Sequence, residues 1–251
     1  MSILLKVHDL TKVYVDKRVV NNLSFNVSEG EILGFLGPNG AGKSTTLSII
    51  STLIDKDYGE ILFENQPITD SPVRFKKNLG LVPQDIAIFS DLTAYENVKF
   101  FCSLYGIKGN TLKAYTKEAL FYVGLWENKD SYPDTFSGGM KRRLNIACSI
   151  AHKPRLLIMD EPTVGIDPQS RNKILEVTKD LSAQGTTIIY TSHYMEEVEA
   201  ICSRLILLDH GQIIEEGPLE QIKSKYENQG LYNLESIFLH LTGTTLRDKE
   251  A

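Results

Sequence analysis

The run Gly37-Pro38-Asn39-Gly40-Ala41-Gly42-Lys43-Ser44-Thr45 constrains this chain more than any other segment. It fits a known order: a glycine, four residues, then Gly-Lys and a hydroxyl side chain. Glycines let the backbone turn tightly and aim its N–H groups inward, where phosphate oxygens can meet them. From such a turn the Lys43 ammonium can reach the outer phosphates of a nucleotide, and the Ser44 hydroxyl can ligate Mg2+. A helix expected from near Lys43 to about Leu53 presents its positive end to the same anion. Upstream, Ile32-Leu33-Gly34-Phe35-Leu36 is a continuous apolar run, the pattern of a strand buried on both faces.

The rest of the chain alternates in the same way. Leu23, Phe25 and Val27 interleave with Ser24 and Asn26, the period of a half-buried strand. Leu156-Leu157-Ile158-Met159, Thr187-Ile188-Ile189-Tyr190-Thr191 and Leu205-Ile206-Leu207-Leu208 read as further buried strands. Asp167 before Pro168 reads as an N-cap with proline at the first helical position, opening a helix to about Leu181. Together these predict a parallel sheet covered on both faces. Residues 85–150 show mostly helical spacing, punctuated at Gly106, Gly109, Gly124 and Pro133, and read as an insertion into that α/β core. Leu234, Ile237, Phe238 and Leu241 fall at helical spacing before Gly243. That helix either docks on its own domain or binds a partner.

Composition narrows the function classes. Apolar residues make up 42% and charged residues 24% of 251 positions, a globular balance. The net charge of −5 lacks the basic excess of a nonspecific nucleic-acid binder. Lys141-Arg142-Arg143 spreads around a helix and reads as a solvated face with contacts to phosphate or acidic neighbours. Cys102, Cys148 and Cys202 are odd in number and widely spaced, which argues against a disulfide framework or zinc site and for a reducing compartment. The start Met1-Ser2-Ile3-Leu4-Leu5-Lys6 is too short an apolar run for a secretory signal. No stretch approaches the ~18 apolar residues of a membrane span, so a membrane role is expected to come through a partner.

The strand Leu156–Met159 runs directly into Asp160-Glu161. Two adjacent carboxylates at a buried strand end are costly unless they meet a cation or a reacting group. Beside a phosphate loop, Asp160 suits Mg2+, directly or through its water. Glu161, one residue on, points elsewhere and suits a general base on the attacking water.

Further motifs stand in a telling order: Gln84 alone after the phosphate loop, then Phe136-Ser137-Gly138-Gly139-Met140-Lys141-Arg142-Arg143, then Asp160-Glu161, then Pro162-Thr163-Val164-Gly165-Ile166-Asp167, then His193 after the strand ending at Thr191. From about Ile3 to Gly217 the chain resembles the nucleotide-binding subunit of ATP-binding-cassette (ABC) transporters. Within that family it is similar to bacterial drug and antibiotic exporters of the daunorubicin-resistance type. Phe136–Arg143, Pro162–Pro168 and the tail Leu234–Gly243 carry that similarity. The family signature commonly reads Leu-Ser-Gly-Gly-Gln; Phe136 and Met140 depart from it, while Ser137, Gly138 and Gly139 keep the hydrogen-bond donors.

The resemblance implies an α/β fold: a P-loop NTPase core with a mainly parallel sheet, an N-terminal antiparallel β subdomain and an inserted helical subdomain. It implies an ATPase domain over residues 1–217, with the insertion at about 85–150, and a helical tail over 218–251. By the same resemblance Tyr14 would stack on adenine, and residues 37–45 would bind ATP. Gln84 would touch Mg2+ and the attacking water, joining Ser44 and Asp160 as a metal contact. Ser137, Gly138 and Gly139 would bind the γ-phosphate held by the opposite subunit, and Asp167 would cross the dimer interface. Glu161 would be the catalytic base, and His193 would bond the γ-phosphate and orient Glu161's water. The cofactors implied are ATP and Mg2+. The partners implied are a second ATPase subunit, identical or related, and a membrane permease; no nucleic acid is expected. The chain would sit at the cytoplasmic face of the membrane, powering export of a drug, antibiotic or lipid-like compound. An importer subunit, or a soluble ABC ATPase acting on nucleic acid or ribosomes, stands as the alternative.

Overall fold

The computed structural model describes residues 2–15 and 17–243. In chain order the elements are β1 (Ile3–Tyr14), β2 (Lys17–Ser28), β3 (Ile32–Leu36), α1 (Lys43–Ile50), β4 (Tyr58–Phe63), β5 (Gln66–Pro67), α2 (Pro72–Lys77), β6 (Leu79–Val82), α3 (Ala94–Leu104), α4 (Gly109–Tyr122), α5 (Gly138–Ile150), β7 (Leu156–Met159), α6 (Pro168–Ala183), β8 (Thr187–Tyr190), α7 (Met195–Ile201), β9 (Arg204–Asp209), β10 (Gln212–Pro218), α8 (Leu219–Glu227) and α9 (Leu234–Thr242). They fall into two compact units, Met1–Phe75 with Thr187–Ala251, and Lys76–Thr186.

The first unit holds an antiparallel sheet in the order β2-β1-β4-β5. In β2 Leu23, Phe25 and Val27 are buried while Ser24 and Asn26 are exposed, the alternation its sequence predicts. The unit also holds β3 between two parallel neighbours, β8 and β9, with β10 antiparallel to β9. All five residues of β3 are buried, as are all four of β8, which is why both read as unbroken apolar runs. Helix α1 stops at Ile50, short of the expected Leu53, because Thr52 takes a left-handed φ of 60° that a helix cannot continue through. The apolar stripe of α9 is docked on its own unit: Leu234 and Ile237 are buried, and the Leu234 N–H donates to Glu199 of α7 at 2.9 Å.

The second unit pairs β6 and β7 in parallel, and α3, α4 and α5 lie between them in sequence. Helix α3 opens with a reciprocal cap in which the Thr93 side chain accepts the Glu96 N–H and the Glu96 carboxylate accepts the Thr93 N–H. Helix α6 opens as its sequence predicts, with Asp167 as N-cap and Pro168 at the first position. Among the described residues no helix is long and apolar enough to cross a membrane.

Candidate functional site

In the first unit β3 delivers the chain into the glycine loop. Gly42 has φ +100°, and a Cβ there would sit 2.5 Å from the Val19 carbonyl oxygen, so only glycine fits. Lys43, the first residue of α1, is buried; its ammonium donates to the Gly37 carbonyl at 2.6 Å and the Pro38 carbonyl at 3.1 Å. The positive charge is thus held inside the curl of the loop. The loop is pinned from outside as well, because the Gly211 N–H donates to the Ala41 carbonyl at 3.0 Å. Ser44 is exposed at the start of α1.

Strands β3 and β8 are parallel, with Gly34 opposite Tyr190. The glycine loop after β3 and the segment Thr191-Ser192-His193 after β8 therefore leave the sheet at the same edge. His193 is exposed there. Tyr14 ends β1 with 45% of its surface exposed, and the Lys12 ammonium lies 5.5 Å from its ring centre. An aromatic ring this exposed at a strand end is free to take a flat partner.

The second unit repeats the arrangement. Val82 pairs with Met159 in the parallel β6–β7 ladder. Gln84, two residues past β6, and Asp160-Glu161, directly past β7, therefore emerge at one edge. The Asp160 N–H extends the ladder by donating to Val82 at 2.9 Å. Glu161 is buried with φ +48°. A non-glycine residue in the left-handed region costs about 1 kcal/mol, and such outliers gather at working sites.

Ser137 caps α5 by accepting the Met140 N–H at 3.2 Å, and the adjoining Gly138 is exposed with nothing near the position of a Cβ. Gly139 is the opposite: a Cβ there would fall 2.1 Å from the Ser170 hydroxyl and 2.9 Å from an Asp167 carboxylate oxygen. The N-termini of α5 and α6 therefore abut, which brings the Ser137 and Asp167 caps together. Backbone and side-chain hydrogen bonds from Ser170 hold the Asp167 carboxyl below its ordinary range.

The basic run departs from expectation. Arg142 is buried, not solvated, and donates to the backbone carbonyls of Pro83 and Gln84; burial lowers its pKa. Arg143 donates to the Val123 carbonyl at 2.8 Å. Both guanidinium groups satisfy carbonyls at chain turns. Arg142 belongs to a polar stripe on α5 with Asn145, which accepts the Ala87 N–H at 3.3 Å, and Ser149, which donates to Leu81 at 2.7 Å. From α3 the Asn97 side chain accepts the Phe89 N–H and donates to the carbonyls of Phe89, Leu92 and Thr93. These side chains fix the loop that carries Gln84, and of them only Arg142 is conspicuous in the sequence, as part of the basic run. The signal was present as polar residues spaced i, i+3 and i+7 on an otherwise apolar helix face.

Comparison with known proteins adds the following. Residues 20–164 match the family model described as ABC transporter. The linearmycin resistance ATP-binding protein LnrL of Bacillus subtilis (strain 168) is 49% identical over 222 residues, covering 88% of this chain and 71% of that protein. The daunorubicin/doxorubicin resistance ATP-binding protein DrrA of Streptomyces peucetius is 37% identical over 215 residues, covering 86% of this chain and 65% of that protein. Among solved structures, a dimeric ATP-binding cassette in a post-hydrolysis state, bound to ADP and Pi, superposes with a TM-score of 0.78 at 27% identity, covering 86% of this chain and 99% of that one.

Proposed function

Because the chain belongs to the ABC transporter family, we propose that it is the ATP-hydrolysing subunit of a membrane exporter, working as a dimer that closes around two ATP molecules. The observation that carries this is the pairing of loops at two sheet edges, the phosphate loop with His193 and Gln84 with Asp160-Glu161. In this reading Tyr14 stacks on the adenine, and the loop Gly37–Thr45 with Lys43 cradles the phosphates. Ser137, Gly138 and the first amides of α5 offer an anion site to the γ-phosphate held by the opposite subunit. Glu161 takes a proton from the attacking water, and His193 bonds the γ-phosphate. Asp167, at the abutting cap, lies at the dimer interface.

Mg2+ fits the donors available, since Ser44, Gln84 and Asp160 offer a hydroxyl, an amide and a carboxylate, all hard oxygen ligands. When bound it would spread the negative charge of the phosphates. An ATPase domain over residues 1–217 followed by a helical tail is part of the same proposal.

Export of a drug, antibiotic or lipid-like compound is supported by the resistance proteins LnrL and DrrA. A permease partner, and with it a place at the cytoplasmic face of the membrane, is supported by an aromatic cluster in the second unit. Phe89, Phe100 and Phe101 lie with ring centres 5.2–5.7 Å apart, and Phe89 and Phe100 are exposed. Exposed apolar clusters of this kind mark protein contacts.

Mixing two inactive variants tests the shared site. Lys43→Ala disables the phosphate loop of its own chain, and Ser137→Arg blocks the signature that serves the other. In a mixed dimer both lesions fall in one site and the second site is intact. Activity returns, to at most roughly a quarter of wild type for independent sites, while a Lys43→Ala/Ser137→Arg double variant stays inactive. Full-rate hydrolysis by verified monomers sinks the shared-site reading.

A further inference from the structure

Glu197 has no part in the roles assigned above, yet its side chain is wholly buried, at 0% exposure. It stands in the first turn of α7 beside Glu196, which takes the ordinary exposed place of an acid at a helix start. A buried carboxyl is costly unless polar partners hold it. Those partners lie on the segment that carries His193. Oε2 of Glu197 accepts the Tyr190 hydroxyl at 2.8 Å and the Ser192 hydroxyl at 2.7 Å. The Ser192 oxygen, itself buried, accepts the Tyr194 backbone N–H at 3.0 Å. His193 lies between Ser192 and Tyr194, so both its neighbours are tied to one carboxylate, the first directly and the second through a hydroxyl.

The carboxylate is anchored in turn. Helix α7 sits close on β3: a Cβ added to Gly34 would lie 3.0 Å from Val198 Cγ1 and 3.2 Å from Cys202 Sγ. Strand β3 runs on into the phosphate loop, and Gly34 faces Tyr190 across the ladder. One helix therefore touches the strand that delivers the phosphate loop and grips the segment that delivers His193.

We propose that Glu197 is a positioning residue for His193, fixing the Tyr190–Tyr194 turn against β3 so that the imidazole meets the γ-phosphate of ATP at the phosphate loop. The inference rests on the reading of His193 as a γ-phosphate ligand. A carboxylate that served only to seat α7 would have no need of Ser192, whose second bond fixes the residue after His193.

The test is a double-mutant cycle on single-turnover ATP hydrolysis, which resolves slow enzymes. Glu197→Ala removes the anchor. Ser192→Ala removes one hydroxyl, is the milder change and keeps the test alive should Glu197→Ala fail to fold. In the wild-type background each is expected to lower the hydrolysis rate by about tenfold or more, with affinity for a fluorescent ATP analogue within about threefold. In a His193→Ala background Ser192→Ala is expected to change the remaining rate by less than about twofold, since its effect passes through the imidazole. Hydrogen exchange should quicken at residues 191–194 in Ser192→Ala while Val198–Ile201 stay protected. Equal losses in both backgrounds, wild-type hydrolysis by Ser192→Ala, or lost protection along all of α7 would overturn the inference and leave the role of His193 standing. A His193→Ala enzyme with wild-type hydrolysis would remove His193 from its role and take the inference with it.

Discussion

The Arg142 guanidinium donates to the carbonyl oxygens of Pro83 and Gln84, so the helix capped by Ser137 also holds the loop that bears Gln84. A buried cation spent on two backbone carbonyls is expensive, and its return is a fixed geometry between two motifs far apart in sequence. Arg142→Ala is expected to lower stability by about 1–3 kcal/mol, the cost of buried acceptors left without donors. Arg142→Lys should recover only part of it, because an ammonium cannot copy the planar fork. Urea denaturation midpoints measure both; an Arg142→Ala protein as stable as wild type would contradict the clamp.

The two glycines of the signature should fail differently. Gly139→Ala drives a methyl into Ser170 and is expected to cost about 1–3 kcal/mol of folding stability. Gly138→Ala meets nothing within 4 Å in its own chain, so its melting temperature should match wild type. Any loss of ATP hydrolysis in Gly138→Ala is then assigned, in the proposed dimer, to contact with the second subunit. Comparable destabilisation of both variants would deny the distinction.

Tyr14→Ala is expected to weaken nucleotide binding by about 1–3 kcal/mol, the scale of base–aromatic stacking, with Tyr14→Phe near neutral. Titration with a fluorescent ATP analogue reads both. Equal losses would assign the effect to the hydroxyl.

Glu161→Gln should bind ATP normally and lose about 10²-fold or more in turnover. It should also accumulate as an ATP-bound dimer on size exclusion, because in the proposed cycle closure precedes the blocked step. Near-normal hydrolysis would remove Glu161 from the role of base.

His152 gives the fold a pH dependence. Its ring stacks on Tyr105 with centres 3.5 Å apart, and burial pulls its pKa from 6.5 down to about 4. The unfolded chain takes up a proton near pH 6.5 while the native chain resists until about pH 4. This contribution is intact above pH 6.5 and is lost as pH falls toward 4, about 3 kcal/mol at most. His152→Gln should flatten that part of the stability profile measured by urea titration between pH 7 and 4.5; an unchanged slope would place the loss in other groups.

The strands of the core and the cap of α6 were legible in the sequence because one local rule governs each. Ile32–Leu36 is apolar without interruption, and Asp167 before Pro168 can hardly be anything but a helix start. Motif order carried the candidate site: Lys43, Asp160, Glu161 and His193 each follow a strand that announces itself. What stayed hidden depends on partners distant in the chain. Arg142 reads as a surface charge until Pro83 and Gln84 are placed against it. Glu197 looks like its exposed neighbour Glu196 until Tyr190 and Ser192 close over it. Gly139 and Gly138 are identical letters, and only the arrival of Ser170 separates them.

The three cysteines are all reduced and buried, and burial pushes each thiol away from ionisation, Cys102 to about 11 and Cys148 and Cys202 further still. A thiol kept protonated and out of solvent does not react with alkylating reagents until the protein around it opens. Cys202 belongs to the first unit, and Cys102 and Cys148 to the second. Pulse alkylation followed by peptide mass spectrometry would therefore time the opening of each unit separately during an ATP cycle, in the native sequence and without an engineered label.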